Sequence, residues 1–226
     1  MENLQRLIRY YFNYSVMKDA LPFLLKGAVL TIKFSVIAEF FGVIFGLILA
    51  IMKISKIKVF KYPSIAYIEF FRGTPLLMQI MFAYYALPYI GINLSGFFAG
   101  LLALSLNSAA YIAEIFRAGI ESIERGQIEA SRSLGMNFFK TMRYIVLPQA
   151  FRRVTPPLTN DFIILLKDSS LLSVIAVVEL LRAAKEIATW KVNPSTYTAA
   201  AFIYLLITLP LSQFVHYLER RYKIID

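Results

Sequence analysis

The chain contains no cysteine and a single histidine, His216. The lack of cysteine excludes disulfide bonds, cysteine-based metal sites and thiol nucleophiles, although it says little about the compartment. Phosphate-binding loops of the form GxxxxGKS or GxxxxGKT are absent as well, so the chain has no site of this type for ATP hydrolysis. No grouping of residues resembles a metal cluster or a nucleophilic triad. We therefore expect a protein that binds neither a metal nor a cofactor of its own.

Charged residues are absent from residues 73–113, a run of 41 positions. A membrane-spanning helix needs about 20 mostly apolar residues, so this run is long enough for two spans and a turn. The turn is predicted at residues 88–96, where proline, glycine and asparagine cluster. With 58% hydrophobic residues and a mean hydropathy of +0.62, the chain is too apolar for an ordinary water-soluble domain.

The hydrophobic pattern predicts an all-α, polytopic membrane protein with five transmembrane helices. We divide the chain into an N-terminal extracytoplasmic segment (1–19), a membrane domain (20–220) and a short cytoplasmic tail (221–226). The first 20 residues lack a compact apolar core followed by a cleavage site, so we expect no signal peptide. The predicted spans are about 21–52, 63–90, 97–118, 154–178 and 193–217.

Basic residues in the predicted connections indicate the orientation. Four lysines and no acid follow the first span, and seven basic residues face three acidic ones in the connection after the third. Both connections should be cytoplasmic, which places the N-terminus outside and the C-terminus inside. Arg6, Arg9 and Lys18 argue against this orientation, and Glu2 and Asp19 partly offset them.

The net charge of +10 raises the question of nucleic-acid binding. The basic residues are spread over the margins of the connections rather than collected on one folded face, which does not favour nucleic acid. Contact with anionic lipid headgroups accounts for the charge more simply. His216 falls near the inner end of the fifth span, where an interfacial side chain is favoured over a proton relay.

One predicted cytoplasmic connection carries a specific pattern over residues 129–148, EASRSLGMNFFKTMRYIVLP. We predict two short helices over 125–147, separated near Gly135, which can adopt a left-handed conformation and end the first helix. Small and apolar side chains are expected on one side of that helix, and Pro148 constrains the residue before it. The alternative is a basic amphipathic helix on the membrane surface. The fixed positions are Glu129, Ala130, Ser131, Gly135, Ile145, Leu147 and Pro148.

This pattern resembles the EAA loop of the inner-membrane subunits of ABC importers, with serine replacing the second alanine. A second block, EFFRGTPLL at 69–77, is similar to an element of the polar amino-acid branch of these permeases. Residues 107–114, 117–120 and 166–171 are similar to the same branch. From about residue 20 onward, the chain is identified as a member of the histidine/glutamine/glutamate/arginine family of ABC permeases.

The resemblance implies a five-helix, type I importer subunit in a bacterial cytoplasmic (inner) membrane. Such a subunit pairs with a second copy of itself or with a homologous permease. Two cytosolic ATPases, which bind ATP and Mg²⁺, would dock on the EAA loops through the fixed positions named above. An extracytoplasmic binding protein would deliver a polar amino acid; a related zwitterion such as cystine or an opine is the alternative.

Polar residues inside predicted spans are candidates for substrate contact, because charges at membrane depth are costly. Asp161 is suited to an α-ammonium or a cationic side chain, although it could instead pair with Arg152 or Arg153. Asn107 and Ser108 are candidates for hydrogen bonds to the substrate, with bonds between helices as the alternative.

Six further charged residues are interpreted as gating or structural. Glu69 with Arg72, and Glu114 with Arg117, are spaced as local i, i+3 ion pairs. Lys167 and Asp168 are adjacent in the fourth span, and neighbouring helices could neutralise them.

An intramembrane enzyme or scaffold is the remaining functional alternative. It would need paired catalytic groups at one depth, and Asp161 with Asp168 is the pair on offer, seven residues apart on one helix face. A helical elbow bracketed by glycine and proline has no role in such a protein. The sequence therefore favours a transport subunit.

Overall fold

The computed structural model describes residues 2–222, with side chains from residue 7 onward. Within that range the regular structure is entirely helical. The side chains of Glu2 and Arg6, and the tail residues 223–226 with Lys223, lie outside the described residues.

Ten α-helices form in this part of the chain, joined by short π-helical and 3₁₀ turns. The turns cover Phe82–Ala86, Leu87–Ile90, Met142–Val146 and Ser169–Ile175. The helices are α1 (Glu2–Tyr11), α2 (Tyr14–Ile54), α3 (Lys58–Gly73), α4 (Leu76–Met81), α5 (Gly96–Glu121), α6 (Arg125–Ser133), α7 (Phe138–Thr141), α8 (Leu147–Asp168), α9 (Leu180–Lys191) and α10 (Ser195–Tyr222).

Three helices are long and apolar enough to cross a membrane: α2, α5 and α10. Helices α2 and α5 contain the predicted first and third spans, and α10 contains the predicted fifth span from residue 195 onward. Large apolar side chains on their surfaces fit contact with lipid, such as those of Phe40 and Ile51, whose exposed fractions are 60% and 59%.

The second and fourth predicted spans differ from continuous helices. The second divides into α3, α4 and the turns up to Ile90, with a break after Gly73 where Thr74 is extended and Pro75 follows. Proline disfavours helical backbone in the preceding residue, which explains the break. The fourth begins earlier than predicted, as α8 at Leu147, and passes into the 3₁₀ turn that ends at left-handed Ala176.

One compact unit comprises, of the described residues, 2–38, 76–104 and 163–210. It has two apolar clusters, one around Phe34, Leu104 and Leu172 and the other around Leu24 and Leu180. At Gly27, a Cβ atom would lie 2.9 Å from the Cα of Leu180, so α2 and the start of α9 approach closely only because residue 27 is glycine.

Glu179 caps the N-terminus of α9 in this unit. Its fully buried carboxylate accepts hydrogen bonds from the backbone N–H groups of Leu181 (2.8 Å) and Arg182 (2.7 Å) and from the hydroxyl of Tyr204 (3.2 Å). Such capping satisfies N–H groups that the helix itself cannot bond. Burial raises the pKa of Glu179 to about 7, although the three bonds oppose this shift.

The other unit comprises, of the described residues, 39–75, 105–162 and 211–222. Helices α2 and α5 approach closely here through Gly42 and Gly46. A Cβ atom at Gly42 would lie 2.4 Å from Ser108 Oγ, and one at Gly46 would lie 2.9 Å from Ile112 Cβ. This Gly-x₃-Gly spacing permits the backbone contact that packs helices in membranes.

Candidate functional site

Residues 125–148 form a helical elbow, and Gly135 lies at its corner. Gly135 has a φ of +78°, in the left-handed region that favours glycine. Its N–H donates to the carbonyl of Arg132 (2.9 Å), and the N–H of Met136 donates to the carbonyl of Ser131 (3.1 Å). This pair of bonds is the Schellman arrangement, which closes the end of α6 and redirects the chain.

Helix α7, the second arm of the elbow, is joined to the first arm, α6, by hydrogen bonds between side chains. Asn137 caps α7 by accepting the N–H of Lys140 (2.9 Å). The buried hydroxyls of Ser131 and Thr141 lie 2.9 Å apart, and Ser131 also bonds the carbonyl of Ile128 (2.7 Å). The serine that replaces the second alanine of the motif therefore holds the two arms together.

The outer surface of the elbow carries large apolar side chains that are exposed. Leu134 and Phe139 are 83% and 80% exposed. The sequence predicted that the small and apolar residues of the first short helix share one side. This prediction is wrong, because Ile128 and Ser131 face inward whereas Ala130 and Leu134 are exposed. The two pairs have i, i+3 and i, i+4 spacings, so each lies on its own face of the helix. Of the remaining motif positions, Glu129, Gly135, Leu147 and Pro148 are exposed and Ile145 is half-buried.

The elbow is also joined to the start of α8. Gln149 Nε2 donates to Gln127 Oε1 (2.7 Å) and to the carbonyl of Ile145 (2.8 Å). Pro148 occupies the first turn of α8, where a missing N–H is tolerated. Sequence reasoning identified neither this bond nor that of Ser131 with Thr141, because the partners are separated by 22 and 10 residues.

The carboxylate of Glu114, on α5, forms ion pairs with three basic side chains. It lies 2.7 Å from Lys53 Nζ, 2.9 Å from Arg117 Nη2 and 3.6 Å from Arg72 Nη1. The expected Glu114–Arg117 pair is therefore formed. Arg117 also contacts Glu121. The ends of α2, α3 and α5 are joined through this one carboxylate.

The prediction of an ion pair between Glu69 and Arg72 is wrong. Glu69 is exposed and forms no ion pair among the described residues. Arg72 instead turns toward α5, where its guanidinium contacts Glu114 and lies 5.3 Å from the ring centre of Tyr111. A partly enclosed carboxylate and an aromatic face together attract a guanidinium more strongly than one exposed carboxylate does.

A cavity of about 470 Å³ adjoins these charges. Its volume is within the range of about 300–1,000 Å³ that is usual for small-molecule sites. Both charge signs are present in its wall, which includes Asp161. The lining residues are Arg72, Tyr111, Glu114, Ile115, Ala118, Gly119, Ser122, Arg153, Pro157 and Asp161.

Asn107 and Ser108 are buried and bond to neighbouring helices. Asn107 Nδ2 donates to the carbonyl of Phe71 (3.2 Å), and Ser108 Oγ donates to Glu39 Oε2 (3.3 Å). These contacts agree with the interhelical alternative for both residues. Contact of either with a substrate stays a prediction.

The remaining charged candidates are not among the residues that line this cavity. Lys167 is exposed and Asp168 is half-buried near the end of α8. His216 is exposed on α10, where its Nδ1 is 2.7 Å from the carbonyl of Ser212.

Comparison with known proteins identifies several relatives over most of the chain. The chain is 41% identical to the probable amino-acid ABC transporter permease protein YckA of Bacillus subtilis over 214 residues, covering 94% of this chain and 95% of the relative. It is 39% identical to the glutamine transport system permease protein GlnP of Escherichia coli K12 over 217 residues, covering 95% and 99%.

Solved structures show the same fold. A crystal structure of an amino acid ABC transporter with histidines contains a chain that is 42% identical, with a TM-score of 0.87, covering 91% of this chain and 96% of that one. A chain of the MetNI methionine ABC transporter in an inward-facing conformation matches with a TM-score of 0.72 at 20% identity, covering 87% and 96%; it supports the fold alone.

A family model described as the binding-protein-dependent transport system inner membrane component matches residues 42–224. This range includes the elbow, the cavity and the three cations around Glu114. The chain therefore belongs to the family of binding-protein-dependent transport system inner membrane components.

Proposed function

We propose that this chain is the permease subunit of an ATP-driven ABC importer that moves polar amino acids across the bacterial cytoplasmic membrane. The relatives described above are permeases for glutamine and other amino acids, and they match almost the full chain. A relative of similar identity, the L-cystine transport system permease protein TcyB of Bacillus subtilis (41%), supports cystine as the alternative cargo. Transport of an opine stays a prediction from the sequence.

The elbow couples the permease to a separate ATPase subunit, which binds ATP and Mg²⁺. The observation that carries this step is the exposure of Leu134 and Phe139 on a segment whose backbone is locked at Gly135. Uncovered apolar side chains on a rigid support are typical of protein interfaces. The motif residues Glu129, Ala130, Ile145, Leu147 and Pro148 complete this docking surface.

The chain crosses the membrane five times, with its N-terminus outside and its C-terminus in the cytoplasm. The second crossing is made by α3, α4 and the turns after them, and the fourth by α8 with its 3₁₀ extension. Interrupted helices are tolerated at membrane depth where protein or a water-filled cavity satisfies the freed backbone groups. A second permease chain, a copy or a homologue, supplies the other half of the path, and an extracytoplasmic binding protein delivers the amino acid.

Transport follows from movement of the elbow. ATP binding closes the ATPase dimer, which displaces α6 and α7 and rocks the attached spans between inward-open and outward-open states. The charges around Glu114 join the ends of three helices and act as a gate, since separating ion pairs in a partly dry site is costly. Asp161 attracts the cationic group of the substrate on its way through.

Co-purification tests this proposal. The complex is solubilised in mild detergent without ATP, and the chains that accompany a tagged copy are identified by mass spectrometry. We expect an ABC ATPase and a second permease chain. Glu129→Lys should reduce ATPase recovery, whereas Glu219→Lys, the same charge change on α10, should not. Recovery of the chain without any ATPase would contradict the coupling step.

A further inference from the structure

The start of α8 and the end of α10 form the wall of a second cavity, with a volume of about 570 Å³. We call it the α8–α10 cavity. All of its lining residues belong to the unit that contains the elbow. They are Pro148, Phe151, Arg152, Arg221 and Tyr222. Two of them carry a guanidinium group and none is acidic, so the wall presents positive charge without a counter-charge.

The two guanidinium groups of this cavity have unused hydrogen-bond donors. Arg221 Nη1 donates to the hydroxyl of Tyr217 (3.0 Å), one turn earlier in α10. Arg152 is exposed, and neither arginine has an ion-pair partner among residues 7–222. Glu219 is two positions from Arg221, a spacing at which side chains do not face each other on a helix. A guanidinium presents its N–H donors in a planar fork that matches the oxygens of a phosphate.

The length of α10 indicates the depth of the cavity in the membrane. This helix is long and apolar enough to cross a bilayer, and its 28 residues extend about 42 Å. The hydrocarbon core is about 30 Å thick, and about 40–45 Å with the headgroup layers. The last turn, with Arg221 and Tyr222, therefore reaches a headgroup layer. Phe151 and Tyr217, next to the two guanidinium groups, are exposed aromatic side chains of the kind that favours this layer.

We propose that the α8–α10 cavity binds the phosphate of an anionic phospholipid, with Arg152 and Arg221 both donating to it. Charge-assisted, bidentate hydrogen bonds from guanidinium to phosphate are among the stronger ones in proteins. Basic pockets between membrane helices bind lipid headgroups in the same way. The inference goes beyond the proposed function and uses from it only that this end of α8 and α10 lies at the cytoplasmic surface. Pro148 belongs both to this cavity and to the docking surface of the elbow, so the lipid lies at the edge of the ATPase contact.

Lipid titration of the permease–ATPase complex, followed by native mass spectrometry, tests the site. The delipidated complex is titrated with phosphatidylglycerol or with phosphatidylcholine of the same acyl chains, and the dissociation constant of the tightest-bound lipid is measured. Both lipids carry the phosphate, but the choline cation adds a like charge beside the two guanidinium groups. We expect phosphatidylglycerol to bind the wild-type complex about tenfold more tightly.

Substitution of the arginines assigns the binding to this cavity. Arg152→Gln and Arg221→Gln should each weaken phosphatidylglycerol binding about tenfold. Arg152→Lys and Arg221→Lys keep the charge but not the fork, and they should lose less. Arg220→Gln is the matched control, because Arg220 is exposed on the same turn of α10 but does not line the cavity. Thermal unfolding of the same samples shows whether each variant is folded.

Two results of the lipid titration would overturn the inference. These are equal affinity of the wild-type complex for the two lipids, and equal effects of Arg220→Gln and Arg221→Gln.

Two further measurements separate this lipid from other anions. Inorganic phosphate that displaces phosphatidylglycerol at a similar concentration would assign the cavity to a free anion. Reduced ATPase recovery with unchanged lipid binding in Arg152→Gln would assign it to an acidic segment of the ATPase. Either result overturns the inference. ATP-driven uptake is measured in parallel: wild-type uptake without selective lipid binding removes this site only, whereas absence of uptake by the wild-type complex removes the proposed function.

Discussion

Replacing Gly135 with valine perturbs the corner of the elbow without creating a clash. No atom lies within 4 Å of the position that a Cβ atom would occupy, so the cost is confined to the backbone. A left-handed backbone with a φ of +78° costs an L-residue about 1–2 kcal/mol relative to glycine, and it costs a β-branched residue more. Because 1.4 kcal/mol corresponds to a factor of about ten, the bent form should lose at least tenfold in population relative to alternatives.

Gly91 offers a matched control for this variant. It has a φ of +86° and likewise has no atom within 4 Å of its Cβ position, but it lies in the turn before α5. Gly91→Val should therefore lower stability by a similar amount without disturbing the elbow.

The assay is amino-acid-stimulated ATP hydrolysis by the reconstituted complex, with thermal unfolding measured on the same samples. We expect Gly135→Val to reduce stimulated hydrolysis about tenfold and Gly91→Val to leave it close to wild type. Wild-type turnover in Gly135→Val would refute the reasoning, as would equal losses in both variants.

Three further substitutions test the packing and the helix ends by thermal unfolding in detergent. Gly46→Val should destabilise the protein by about 1–3 kcal/mol, because its side chain would overlap Ile112; an unchanged melting temperature would contradict the close α2–α5 contact. Val192 ends α9 at a φ of +48°, so Val192→Gly should stabilise by about 1 kcal/mol; a lower melting temperature would show that Val192 is not strained. The pKa of Glu179 in the folded protein is about 7, above its ordinary value of 4.5. This carboxyl therefore contributes about 3 kcal/mol to the free energy of unfolding at low pH, and the contribution is lost as the pH rises through about 7. Melting temperature should fall between pH 5 and pH 8 by more in wild type than in Glu179→Gln; parallel pH profiles would reject this assignment.

Local patterns predicted the parts of the fold that depend on neighbouring residues. The charge-free run at 73–113 indicated two crossings with a turn, and the structure has Gly91 in a left-handed turn before α5. The sequence also predicted that Gly135 separates two short helices over 125–147, because a helix that ends in the left-handed region favours glycine. These signals operate over a few residues.

Contacts between distant residues could not be predicted in this way. The i, i+3 spacing favoured Glu69 as the partner of Arg72, but α5 presents Glu114 and Tyr111 to the same guanidinium. Helix α9 falls in the connection between the predicted fourth and fifth spans, and the sequence pattern does not single out Glu179. Its capping role depends on burial beside Tyr204, which single-sequence periodicity does not report.

The measurement that tests the central claim most directly is ATP-driven uptake by proteoliposomes. They contain this chain, its co-purifying permease and ATPase, and the extracytoplasmic binding protein, with ATP on the ATPase side. We predict accumulation of a polar amino acid that requires ATP and falls when Leu134 and Phe139 are replaced together by serine. Accumulation that continues without ATP, or without the ATPase subunit, would contradict the account.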